Sequence, residues 1–180
     1  MKISNSSAAC ALLCSLYNPL HAEEISIEVN GFVSGATCNV SLNGEINPIV
    51  TLPKVPISLL STHGQTAGEK NIILEMTGCS LSANKKVIPY FIPGINLTSS
   101  GGRLKNTATK GAAANVELQL LHQGQAINLA NNAGDQNAGF AVIPDIGGSA
   151  TIEYTIRYYA TGQAKPGKVH SAMAWEVQYN

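Results

Sequence analysis

Residues 152–179 read IEYTIRYYATGQAKPGKVHSAMAWEVQY. Ile152, Tyr154, Ile156 and Tyr158 recur at every second position against Thr151, Glu153, Thr155 and Arg157. Val169, Ser171, Met173, Trp175, Val177 and Tyr179 do the same against His170, Ala172, Ala174, Glu176 and Gln178. A period of two sends alternate side chains to opposite faces of an extended chain, so each run is a half-buried strand. Between them, Thr161 to Gly167 carries Gly162, Pro166 and Gly167, residues that turn a chain, and the simplest product is a long hairpin.

The same period runs through the rest of the chain. Ile72, Leu74 and Met76 alternate with Ile73, Glu75 and Thr77, and Val116, Leu118 and Leu120 with Asn115, Glu117 and Gln119. Val87 to Ile92 (VIPYFI) is apolar at every position, which predicts a strand covered on both faces, with Pro89 at a bulge or an edge because it has no N–H for a ladder. Loops are marked by Ser99–Gly102, Lys110–Ala114 and Asn131–Gly139. No amphipathic helical run, repeat or interdomain linker interrupts this pattern. Many short strands separated by turns predict an all-β sandwich.

Composition narrows the function. Lys+Arg and Asp+Glu balance at 11 each, so the chain has no basic field to hold nucleic acid or an anionic membrane. Lys2, the short apolar run Ala8 to Tyr17 and the small residue at the end of Leu20-His21-Ala22 predict a secretory signal peptide over residues 1–22. The apolar run is about half the roughly 20 residues of a spanning helix. After residue 22 two cysteines are left, Cys38 and Cys79. In an oxidising compartment they most simply pair, and a bridge of that span contributes roughly 4 kcal/mol; two inert buried thiols are the alternative.

No catalytic or metal centre is legible. His63, His122 and His170 are each isolated, without a carboxylate or cysteine at ligand spacing. There is no nucleophile elbow, phosphate loop or paired-carboxylate motif. Asn39-Val40-Ser41 and Asn96-Leu97-Thr98 match the short glycosylation pattern and are read as ordinary polar strand or loop residues.

The two ends carry the information. Beyond the predicted signal the chain begins at once with an alternating strand, Ile25, Ile27, Val29, Gly31, Val33, close upstream of Cys38. A strand at a free terminus needs a sheet to join. Periodicity allows two solutions equally, pairing within its own domain or donation to another molecule.

The stretch Gly31 to Val40 (GFVSGATCNV) resembles the Gly, six residues, Cys, one residue, Val pattern of chaperone-usher fimbrial pilins of the type 1 class. Ile72 to Leu81 (IILEMTGCSL) is similar to the segment that carries their second cysteine, and Gly102 to Leu121, with Asn106-Thr107-Ala108, to the strand region that follows. Tyr158 to Gly162, Pro166-Gly167, Val169 and the penultimate Tyr179 resemble their closing hairpin. The likeness runs in order along the whole chain beyond the predicted signal.

The resemblance implies an all-β, incomplete immunoglobulin-like β-sandwich lacking its final strand, with an N-terminal donor-strand extension. The expected divisions are residues 1–22 as signal peptide, 23–33 as donor extension and 34–180 as pilin domain. Ile25, Ile27, Val29, Gly31 and Val33 would fill a neighbour's groove; Val169, Met173, Trp175, Val177 and Tyr179 would line this chain's own. The expected function is that of a structural, non-enzymatic subunit of a homopolymeric fimbrium that supports bacterial adhesion. Its expected partners are neighbouring pilin subunits, a periplasmic chaperone and an outer-membrane usher, with no cofactor, on a route through the periplasm to the cell surface. A self-complete secreted sandwich binding a carbohydrate or protein ligand is the alternative.

Overall fold

The computed structural model describes residues 38–46, 48–80, 84–92, 94 and 101–180. The predicted signal peptide and the predicted donor extension, with Ile25, Ile27, Val29, Gly31 and Val33, lie outside the described residues. The described chain forms β1 (Asn39–Leu42), a single 3-10 turn (Ile57–Leu60), β2 (Thr66–Thr77), β3 (Lys85–Ile92), β4 (Leu104–Lys105), β5 (Ala114–His122), β6 (Gln125–Ala126), β7 (Ala141–Ile143), β8 (Ala150–Lys165) and β9 (Ala174–Tyr179). The larger sheet has the order β1-β2-β8-β5-β4, with β6 against β5; the smaller has the order β7-β3-β9. Every pairing between these strands is antiparallel.

The alternation in the sequence fixes which side chains go inward. Ile72 pairs with Tyr154 and Leu74 with Ile152, while Leu118 pairs with Tyr158 and Leu120 with Ile156. These rows lie on one face of the larger sheet and pack against Val87, Phe91, Ala141 and Ile143 of the smaller one in a single core. Phe91 meets Tyr154 edge to face at 5.4 Å between ring centres, and the Tyr154 hydroxyl donates to the Ala138 carbonyl at 2.7 Å. On the opposite face of the larger sheet, Arg103 pairs with Glu117 at 2.7 Å and lies over the Tyr159 ring.

Two sequence expectations are corrected. The last two strands do not form a hairpin. β8 continues for 16 residues through the stretch expected to turn, pairing β5 as far as Ala114↔Lys165, and β9 joins β3 in the other sheet. Both strands need the same inward parity whichever sheet they occupy, so periodicity does not distinguish a hairpin from a crossing. At the crossing Gly167 passes so near the backbone of Ala112 and Ala113 that a side chain there would collide with both.

β3 is also not covered on both faces. Val87, Pro89 and Phe91 are buried, whereas Ile88 and Tyr90 are half-buried and Ile92 is exposed. Pro89 sits neither at a bulge nor on an edge strand, since β3 is the central strand of its sheet. The Lys86 N–H donates to the Asn180 carbonyl and the Asn180 N–H to that of Lys86, both at 2.9 Å. By antiparallel alternation the backbone groups of Val87, Pro89 and Phe91 then point away from β9. The β7 ladder stops at Val87↔Ala141, so the missing donor of Pro89 faces a side where, among the described residues, no strand continues.

Candidate functional site: the outer edge of β9

β9 is an edge strand, paired on one side with β3 and, among the described residues, with no strand on the other. The Lys86–Asn180 pair sets its phase. Residues opposite Val87, Pro89 and Phe91, namely Tyr179, Val177 and Trp175, direct their N–H and C=O groups to the outer side. In a strand the residues that share a backbone direction also share a face. Trp175, Val177 and Tyr179 are accordingly half-buried against the core, while Ala174 and Glu176 are exposed. Outward backbone groups with no strand partner among the described residues, and inward apolar side chains, thus belong to the same three residues.

The row extends beyond β9. Val169 and Met173 keep the parity and are also partly buried against the core, although neither lies within the strand. Ser171, between them, has its hydroxyl buried with no hydrogen-bond partner among the described residues. At the Val169 end opens a cavity of about 330 Å³ lined by Val55, Leu60, Val116, Tyr158, Ala164 and Val169 among others. Burial beside it pushes the Tyr158 phenol up from its ordinary pKa. Gly68, at a positive φ of 69° where β2 and β8 shift register, lets the Tyr158 ring lie against bare backbone.

At the other end the Cys38 N–H donates to the Tyr179 hydroxyl at 3.1 Å. Cys38 forms a disulfide with the fully buried Cys79, and the Cys79 N–H donates to the Gly148 carbonyl. The bridge therefore ties the start of the described chain to the end of β2, beside the last residue of β9.

The five positions predicted to line a groove, Val169, Met173, Trp175, Val177 and Tyr179, fall along this one edge. The histidines fall apart: His63 lies edge-on to Tyr159, His122 contacts the Glu153 carbonyl, and His170 meets Thr107. Among the described residues no group of three His, Cys, Asp or Glu side chains comes together to hold a metal ion.

Two residues that shape the edge were not visible in the sequence. Gln136, in the expected loop Asn131–Gly139, is buried and caps the backbone of Phe91. Asn106, in the Asn106-Thr107-Ala108 stretch, bonds to the crossing segment that leads to β9. Neither stands out by period or hydrophobicity.

An antiparallel two-sheet sandwich whose smaller sheet ends on a strand paired, among the described residues, on one side only is the form of a fimbrial subunit. The Type-1 fimbrial protein, A, family model matches residues 52–180, and the chain belongs to this family of structural pilus subunits. It is 36% identical over 166 residues to the major fimbrial subunit SMF-1 of Stenotrophomonas maltophilia, covering 89% of this chain and 95% of that one. It is 34% identical over 158 residues to the F17 fimbrial protein of Escherichia coli, covering 85% and 86%. In fold it resembles the P pilus rod subunit PapA, with a TM-score of 0.61 at 14% identity over 81% of this chain and 100% of that one.

Proposed function

We propose that this subunit builds its fimbrium by strand addition: residues 23–33 of one copy enter the outer edge of β9 in the next. The observation that carries it is the coincidence at Trp175, Val177 and Tyr179 of outward backbone groups with half-buried side chains. Such an edge left bare is a template for aggregation, and an added strand supplies main-chain bonds for affinity and alternate side chains for specificity. Ile25, Ile27, Val29, Gly31 and Val33 have the alternation this requires. Four apolar side chains buried at about 1.5–3 kcal/mol each give a joint on the order of 10 kcal/mol without a covalent bond.

In this scheme residues 1–22 direct export and residues 34–180 form the domain. A periplasmic chaperone covers the edge until an outer-membrane usher exchanges it for the next subunit. The product is a homopolymer at the cell surface that supports adhesion, and no reaction is assigned to it. The test is electrophoresis of surface material from cells that express the chain, with and without heating. Ladders stable in detergent that collapse to a single band on boiling are expected. A monomer in both lanes, with residues 23–33 protected from proteolysis on their own domain, would favour the self-complete sandwich instead.

A further inference from the structure

A donor running from Ile25 to Val33 spans roughly 30 Å in extended form. β9 has six residues and offers roughly 20 Å. If the acceptor were β9 alone, a third of the donor would overhang. The crossing segment between β8 and β9 supplies the missing length, and the way it is held assigns a role to Asn106.

Among the described residues, 168–170 pair with no strand of either sheet, yet all four backbone groups of Lys168 and His170 are engaged on one side. The Lys168 N–H donates to the Gly111 carbonyl at 2.7 Å, and the Lys168 carbonyl accepts from the Ala113 N–H at 2.9 Å. The His170 carbonyl accepts from the Thr107 N–H at 2.7 Å and from the Thr107 hydroxyl at 3.0 Å. The Asn106 side chain joins the two ends. Its Nδ2 donates to the carbonyls of Ala113 and Lys168, both at 2.9 Å, and its Oδ1 accepts from the N–H groups of His170 at 3.0 Å and Ala108 at 3.1 Å. With Lys168 and His170 turned to the 106–113 loop, Val169 between them turns its N–H and C=O the other way. Val169 and Met173 pack against the core with the parity of Trp175, Val177 and Tyr179, so an extended course between them gives Val169 the same outward direction.

We infer that Asn106, seconded by Thr107, is the positioning residue for one end of the acceptor edge. It holds residues 168–170 extended against the loop, so that a single outward edge runs from Val169 to Tyr179 while the inner partner changes from the loop to β3. The ligand of this end is the terminal part of a neighbouring copy's donor strand. The inference rests on the strand-addition reading above.

The experiment uses the full chain, unfolded and refolded with its disulfide intact in excess fluorescent peptide of residues 23–33. Two further peptides carry Ile25→Ala or Val33→Ala. In the unaltered protein each alanine weakens binding. In Asn106→Ala the unmodified peptide binds about fivefold more weakly, the order expected for losing a hydrogen-bonded support. One of the two alanine effects disappears and the other is unchanged, because only one donor end lies at residues 168–170. Thr107→Val, which removes only the hydroxyl, gives a smaller change at the same end, and it serves if Asn106→Ala does not refold. Unchanged binding in both variants, or a general weakening that leaves both alanine effects intact, overturns the role of Asn106 and spares strand addition. An unaltered protein that binds no peptide overturns both.

Discussion

Gln136 holds Phe91 as a neighbouring strand would. Its Oε1 accepts from the Phe91 N–H at 2.9 Å and its Nε2 donates to the Phe91 carbonyl at 2.6 Å, so both outward backbone groups are satisfied by one side chain. The need arises from Pro89. The β7 ladder ends at Val87, Pro89 cannot donate to a continuation, and Phe91 is left two residues further on with buried groups and, among the described residues, no strand on that side. Gln136 is 1% exposed, and its Nε2 also reaches the carbonyls of Leu129 and Asn131.

Replacing Gln136 by Leu keeps the volume but strands the N–H and carbonyl of Phe91 in the core. A loss of about 3 kcal/mol is expected, from unsatisfied groups at roughly 1–3 kcal/mol each. Chemical denaturation followed by Trp175 fluorescence measures it. Gln136→Glu sets a carboxylate oxygen against three carbonyls, which holds the buried acid neutral and raises its folded-state pKa. That variant is least stable at neutral and high pH and recovers as the pH falls through the raised value. Equal stability of Glu and Gln variants at pH 7 would contradict the bonding described.

Tyr154 sets an alkaline limit. Burial pushes its phenol well above the ordinary value of 10.0, so the folded state resists an ionisation that the unfolded chain undergoes freely. A folded-state pKa raised in this way contributes stability that is full below pH 10 and is lost as the pH climbs above it. Tyr154→Phe removes that dependence and costs about 1 kcal/mol at neutral pH, because the Ala138 carbonyl loses its donor. Thermal melts from pH 7 to 11 should show the two proteins converging at the alkaline end.

The disulfide closes a sequence separation of 41 and removes freedom from the unfolded chain. Cys38→Ser should cost roughly 4 kcal/mol on loop-closure grounds. The amount of subunit recovered from the periplasm should fall accordingly, and undiminished recovery would mean that the bridge is dispensable.

What could be read from the sequence was parity. Ile72, Leu74 and Met76, and Trp175, Val177 and Tyr179, lie on the predicted inward faces because a two-residue period survives any change of strand order. Strand partners were not legible. The choice of β3 over β8 as the neighbour of β9 depends on how long β8 runs, and Thr161 to Lys165 has no pattern that distinguishes strand from turn. Gln136 and Asn106 act through single side-chain amides placed by loops. Their roles depend on where other backbone groups lack partners, which only the folded chain defines. The family resemblance gave the expectation of a groove lined by Val169, Met173, Trp175, Val177 and Tyr179, but it assigned no role to the 106–113 loop.

Strand addition predicts that the two sides of the joint fail differently. Gly31→Arg puts a long charged side chain where the extension would enter a neighbour, but lies outside residues 34–180, so the subunit should fold and accumulate normally while fibre yield collapses. Val177→Asp alters the receiving edge: Val177 is opposite Pro89, half-buried, with its backbone to the outer side. A carboxylate in an apolar groove costs several kcal/mol unless it is neutralised, so this variant should neither accept a donor nor be recovered at normal levels. Mixed expression separates the defects. A chain with Gly31→Arg still accepts a donor and should end fibres made by unaltered subunits, shortening them in electron micrographs, whereas Val177→Asp should reduce their number through loss of the subunit. Equal fibre lengths in the Gly31→Arg mixture would place residues 23–33 outside the joint.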